Sequence, residues 1–163
     1  MAKEIERKFL VRSERWRGSE TGRFSLRQAY IASLDDRSVR VRLVNDTRAT
    51  LTIKIGKGTT RDEFEYEIPI ADARELMDSA VGCVVEKTRY EVPFGDFTWE
   101  VDVFDGYYRG LTIAEVEMND ETDDPELPDW LGAEVTGDDR YSNQNLAMRA
   151  YTRDAIHGLS HTA

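Results

Sequence analysis

Glu4, Glu6 and Lys8 stand at a spacing of two in Glu4-Ile5-Glu6-Arg7-Lys8, which on a β-strand puts two carboxylates and an ammonium on one face. A carboxylate pair is what Mg²⁺ takes from a protein while leaving its other positions to water and phosphate oxygens, and a nearby lysine is a point charge for phosphate. The same E-x-E-x-K pattern is also the wet face of any edge strand. It therefore points to phosphate and metal chemistry only in company with further charges at the same period.

That company runs along the chain. Arg40 and Arg42 alternate with valines, Lys54 closes Leu51-Thr52-Ile53-Lys54, and Glu63, Glu65 and Glu67 alternate with Phe64 and Tyr66. Lys87 and Arg89, Glu100 and Asp102, and Glu115 and Glu117 follow at the same spacing. Each segment pairs a charged face with an apolar one. Most carry a single sign, whereas an ordinary solvated surface intersperses the two.

Elements that could carry these residues are strands near 3–11, 25–33, 38–45, 49–56, 63–69, 83–92, 96–104 and 111–119. Turn signals lie at Asp35-Asp36, Asn45-Asp46 and Phe94-Gly95-Asp96. Asp72 is placed to cap a helix to about Ser79 with Leu76, Met77 and Ala80 as its apolar face, and Asp129 to Gly132 reads as a helical turn ended by glycine. Ser142 caps a last helix from Asn143 to about Ala155, with Leu146, Met148, Ala150 and Tyr151 as packing groups. Gly56-Lys57-Gly58-Thr59-Thr60 is a connector without P-loop spacing, and Asp120 to Asp129 is an acidic loop broken by Pro125 and Pro128.

The ordered set Glu4-Ile5-Glu6-Arg7-Lys8, Arg40-Val41-Arg42, Thr52-Ile53-Lys54, Arg61-Asp62-Glu63-Phe64-Glu65, Lys87-Thr88-Arg89, Glu100-Val101-Asp102, Glu115-Val116-Glu117 and Val135-Thr136-Gly137-Asp138-Asp139-Arg140-Tyr141-Ser142-Asn143 resembles the CYTH superfamily, the triphosphate tunnel metalloenzymes. The resemblance implies an α+β fold: a closed antiparallel barrel of eight strands with covering helices and its charged faces turned inward. Periodicity alone says which residues share a face, not which face is inside, and an inward charged face must find counter-charges or ligand.

The resemblance further implies a cationic cradle of Lys8, Arg40, Arg42, Lys54, Lys87 and Arg89, with Arg140 closing the tunnel over a terminal phosphate. Glu4, Glu6, Asp102, Glu115 and Glu117 are the expected holders of Mg²⁺ or Mn²⁺. Arg61 matches a family position without a defined role. Glu63 and Glu65 match the acidic strand, where balancing the tunnel's cations is as good a role as binding metal. Tyr30, in a Q-x-Y match, and Lys54 are the expected proton-transfer pair. The implied activity is metal-dependent hydrolysis of a triphosphate, inorganic tripolyphosphate first. The alternatives are thiamine-triphosphatase, class IV adenylyl cyclase, or a non-catalytic polyphosphate or nucleotide binder. A pure anion binder gains nothing from the carboxylates, which favours an enzyme.

The 163 residues suit one domain spanning 1–163, as monomer or homodimer. With 22 basic and 32 acidic residues the net charge is -10, which disfavours nucleic acid as a partner while allowing a local basic channel for a small polyanion. Cys83 is the single cysteine and reads as a buried thiol, so no disulfide forms within the chain. His157 and His161 lack a nearby third ligand and read as incidental. No signal-peptide core or long apolar run appears, so a cytoplasmic protein without a membrane partner is expected.

Overall fold

A computed structural model describes residues 3–57 and 59–149. The period-two segments all form strands: β1 (Lys3–Val11), β2 (Gly22–Leu34), β3 (Arg37–Val44), β4 (Arg48–Ile55), β5 (Thr60–Ile68), then α1 (Ile70–Met77), β6 (Val81–Phe94), β7 (Phe97–Phe104), β8 (Thr112–Glu117), β9 (Leu131–Glu134) and α2 (Asn143–Arg149). Every ladder is antiparallel, in the order β5-β4-β3-β2-β6-β7-β8-β1. Strand β1 then returns to β5 through Lys3↔Asp62, Glu4↔Arg61 and Ile5↔Thr60, which closes an eight-stranded barrel. Asn45 and Asp46 both take positive φ at the β3–β4 turn, the conformation that matches a two-residue turn to strand twist.

Two local expectations are corrected. Residues Asp129 to Gly132 do not make a helical turn; Leu131 to Glu134 is strand β9, paired with the upper half of β1 through Val11↔Leu131 and Phe9↔Glu134. The cause is an open edge: β5 pairs with β1 only over Lys3 to Ile5, so the rest of that edge needs another partner for its backbone groups. Helix α1 starts at Ile70 rather than near Asp72, because Pro69 holds an extended backbone at the N-cap and its missing N–H costs nothing there. Ser142 caps α2 as expected, its Oγ accepting from Asn145 N at 3.0 Å. The expected continuation of α2 to about Ala155, with Ala150 and Tyr151, and the tail beyond it with both histidines lie outside the described residues.

Apolar burial lies mainly outside the barrel wall. Ala73 and Met77 of α1 cover Ala29, Val41, Leu43 and Ala49. Trp16, Trp130 and Leu131 cover Phe9, Trp99, Val101 and Val116, with the Trp16 and Tyr90 rings tilted at 50° and their centroids 4.9 Å apart. At one end the inward faces themselves turn apolar, at Leu10, Tyr30, Val85, Phe104 and Ile113, and there Tyr141, Leu146 and Ala147 seat on them. Helix α2 thus seals that end of the lumen. Among the described residues no helix is long and apolar enough to cross a membrane.

The seal depends on Gly82. Its φ is +74°, and a Cβ there would overlap the carbonyl oxygen of Ala147. Gly82→Ala is expected to destabilise the protein by at least about 1–3 kcal/mol, the cost of a strained backbone alone. A thermal denaturation midpoint equal to that of the unsubstituted protein would contradict this.

Candidate active site

The alternation that puts apolar side chains outside lifts the charged ones into the lumen, and barrel order then sorts them by sign. Strands β7, β8, β1 and β5 are consecutive around the ring and bring Glu100, Asp102, Glu115, Glu117, Glu4, Glu6, Glu63 and Glu65. Strands β4, β3, β2 and β6 complete it and bring Lys54, Arg40, Arg42, Lys87 and Arg89. A mostly acidic half-ring faces a basic one across the tunnel.

Contacts across and along the lumen couple the halves. Lys54 Nζ donates to Glu4 Oε1 at 3.0 Å and lies 3.6 Å from Glu63 Oε2. Arg61 Nη2 bridges Glu4 at 3.3 Å and Glu6 at 3.1 Å. Lys8 Nζ donates to the carbonyl of Tyr141 at 3.0 Å, with Glu115 at 3.9 Å. Lys87 donates to Asp102 Oδ2 at 2.6 Å, and Arg89 grips both Asp102 oxygens at 2.8 and 2.9 Å while reaching Glu100 at 3.3 Å. Lys87 and Asp102 are 0% and 1% exposed, so a bare charge at either place would be costly and the pairing is obligatory.

Other cationic donors are less engaged. Arg42 donates Nε and Nη2 to the Gln28 carbonyl at 2.9 and 2.7 Å. Arg40 gives Nη2 to Thr52 at 3.4 Å, and its buried Nε has no hydrogen-bond partner among the described residues. Burial, with Arg40 and Arg89 close by, pushes the Arg42 guanidinium down to about 9. Burial and the charges of Arg89 and Arg42 push Lys87 down to about 7 against the pull of Asp102. A crowded basic wall with an unsatisfied arginine is built to take an anion.

The acidic wall shows the complementary tension. Burial first, then the neighbouring Glu115 and Glu4 carboxylates, push Glu6 up to about 8, and Glu6 and Glu115 hydrogen-bond to each other. Glu63 is pushed up to about 7 by its hydrogen bond to Glu4 and by burial. Glu4 falls to about 2: burial opposes its charge, but the Glu63 proton, Lys54 and Arg61 prevail. Among the described residues no three acidic, histidine or cysteine side chains converge into a ready metal cage. Mg²⁺ and Mn²⁺ do not need one, since one or two carboxylates plus water and phosphate oxygens suffice, and adjacent carboxylates forced to share a proton are the donor set such an ion would relieve. The residues present therefore fit a hard divalent ion.

The remaining expected residues fall at the edges of this centre. Tyr30 is buried in the apolar seal opposite Arg40, and among the described residues no hydrogen bond joins it to Lys54. Glu65 and Glu117 are exposed. Arg140 rests its guanidinium on Asp138 at 2.7 Å. Beside it a cavity of about 690 Å³ opens onto Glu6, Lys8 and Arg61 between the β2–β3 turn and the 135–145 segment. Sequence reasoning missed Gln28 and Asn143. Gln28 shares the inward face with Tyr30 at a spacing of two, and a lone amide there was the available signal.

These shifts set a pH dependence in the metal-free protein. A Glu6 carboxyl with an unfolded value of 4.5 and a folded value of about 8 stabilises the fold fully below 4.5, and that stabilisation is lost as pH rises through about 8. Thermal melts of Glu6→Gln and the unsubstituted protein, compared across that window in EDTA, should show the variant gaining relative stability as pH rises. A constant gap would remove the basis for it.

Two relatives of known naming cover nearly the whole chain. An inorganic triphosphatase of Acetivibrio thermocellus is 46% identical over 153 residues, 93% of this chain and 97% of the relative. An inorganic triphosphatase of Nitrosomonas europaea is 38% identical, over 89% of this chain and 97% of that one. A solved inorganic triphosphatase structure superposes with a TM-score of 0.66 at 36% identity, covering 91% of this chain and 96% of the other. The sequence model described as the CYTH domain matches residues 2–151. With the barrel, its inward charges and that match over nearly its full length, the chain belongs to the CYTH domain family.

Proposed function

We propose that this protein is a divalent-metal-dependent inorganic triphosphatase, hydrolysing tripolyphosphate to pyrophosphate and orthophosphate inside the barrel. The observation that carries the reading is the lumen's division into a cation-rich wall with an unsatisfied Arg40 donor and a carboxylate wall whose Glu6 and Glu115 hydrogen-bond to each other. The relatives named for that activity support it.

Arg40 and Arg42 bind phosphate oxygens through their forks, with Lys54, Lys8, Lys87 and Arg89 adding charge around them. Arg61 holds Glu4 and Glu6 side by side. Glu4, Glu6, Glu115 and Glu117 would hold Mg²⁺ or Mn²⁺; such an ion neutralises phosphate oxygens and makes a water more acidic. Asp102 is spent on Lys87 and Arg89 and acts here as their counter-ion. Glu63 balances Lys54.

In the reaction water attacks the terminal phosphorus, the bond to the bridging oxygen breaks, pyrophosphate leaves, and the proton lost by water passes to the protein. Tyr30 and Lys54 are the proposed groups for that transfer. The seal formed by α2 keeps bulk water from one end, which strengthens every charge interaction inside.

The decisive experiment is phosphate release from tripolyphosphate, thiamine triphosphate and ATP, each with Mg²⁺, Mn²⁺ or EDTA. Tripolyphosphate should be cleaved fastest and cleavage should stop in EDTA. Preference for thiamine triphosphate or ATP would reassign the substrate, and metal-saturated binding without turnover would make the protein a polyphosphate binder.

Tyr30→Phe separates the proton-transfer role from packing, because phenylalanine keeps the ring that fills the seal. Turnover should fall by roughly 10²–10⁴-fold with little change in KM. A variant with unchanged kcat leaves Tyr30 as a packing residue.

A further inference from the structure

The 3₁₀ turn ending at Tyr141 and the first residue of α2 touch the cradle at two places. Lys8 Nζ donates to the Tyr141 carbonyl at 3.0 Å, and Lys87 Nζ donates to Asn143 Oδ1 at 3.1 Å. The Tyr141 ring is fully buried in the apolar seal, so its carbonyl is fixed by packing. Asn143 instead meets Lys87 through a side chain, and it does so where the ammonium has no water to turn to.

An ammonium has three donors. One goes to Asp102 at 2.6 Å and one to Asn143, while the Phe104 ring lies 5.3 Å from the nitrogen. Asp102 is already held by both arms of Arg89. Without Asn143, Lys87 would be drawn wholly onto Asp102, in competition with Arg89, and a buried donor would be stranded. The amide oxygen holds the nitrogen between two anchors, beside the Phe104 ring, and so fixes where its charge sits in the wall.

We propose that Asn143 is a positioning residue for the triphosphate cradle, acting through Lys87, so that the seating of α2 at the tunnel end sets the strength of phosphate binding. The proposal rests on the triphosphatase reading for its substrate but not for its contact. Among the described residues no other group combines a neutral acceptor with a place on α2 and reach to a fully buried cradle lysine.

The test uses full-length Asn143→Ala and Asn143→Asp, the second keeping an acceptor oxygen at the same reach. Nitrogen-15 NMR of lysine side chains should show a slowly exchanging Lys87 ammonium in the unsubstituted protein, assigned by its loss in Lys87→Met. That signal should vanish in Asn143→Ala and return in Asn143→Asp. Calorimetry with tripolyphosphate in EDTA should show Asn143→Ala binding about 10–100-fold more weakly, the scale of one hydrogen bond to a charged group. Steady-state kinetics with metal should place the change in KM rather than kcat.

An Asn143→Ala protein with a lowered melting temperature but unchanged affinity and KM would show a merely structural residue and overturn the proposal, as would retention of the Lys87 signal. If the unsubstituted protein bound no tripolyphosphate, the functional reading would fail, while the NMR comparison would still decide whether Asn143 fixes Lys87.

Discussion

Charge compensation inside a closed wall governs this protein. An ordinary β-barrel fills its interior with apolar side chains and wets its outside. Here the centre of the interior holds arginines, lysines and carboxylates largely withdrawn from water, and such an arrangement persists only where each charge meets an opposite one or is removed by protonation of a carboxylate. The obligatory Lys87–Asp102–Arg89 group and the Arg61 bridge between Glu4 and Glu6 are the first solution. The shared protons of the Glu6–Glu115 and Glu4–Glu63 contacts are the second.

The rest of the architecture follows from that inversion. With charges inside, the apolar faces of the strands turn outward and must be covered, which explains why so small a chain devotes α1, the Trp16 loop, Trp130 and β9 to wrapping its own wall. The covering elements also fix the strands' tilt and spacing, and therefore the distances between lumen side chains. Packing of Trp99 against Phe9 and Trp130 outside is part of what holds Glu4 and Glu100 where they stand inside.

Much of this was legible in the residues because side-chain period on a strand is fixed by geometry. The eight barrel strands, their turns and nearly all lumen groups lie where alternation put them. What alternation could not supply was the sign of the radial direction, which came from resemblance to a family, and the ring order that sets an acidic half against a basic half. That order pairs β2 with β6 and β1 with β5, which are far apart in sequence. Strand β9 escaped because its reason for existing is an unpaired edge of β1, a fact of the assembled sheet. The grip of Asn143 on Lys87 escaped for the same reason: a capped helix start announces the helix, not what its second face will meet.

The ring is completed by three residue pairs between β1 and β5, and one of them, Glu4↔Arg61, consists of two lumen residues. The binding centre and the topological closure of the sheet are therefore one event in folding. A chain with the other seven ladders formed but this seam open has its acidic wall parted from Arg61 and Lys54, and has no lumen to offer. On the proposed function, triphosphate would bind only the closed form, and by linkage its presence would draw open chains toward closure, with the substrate as a latch on the last seam of the barrel.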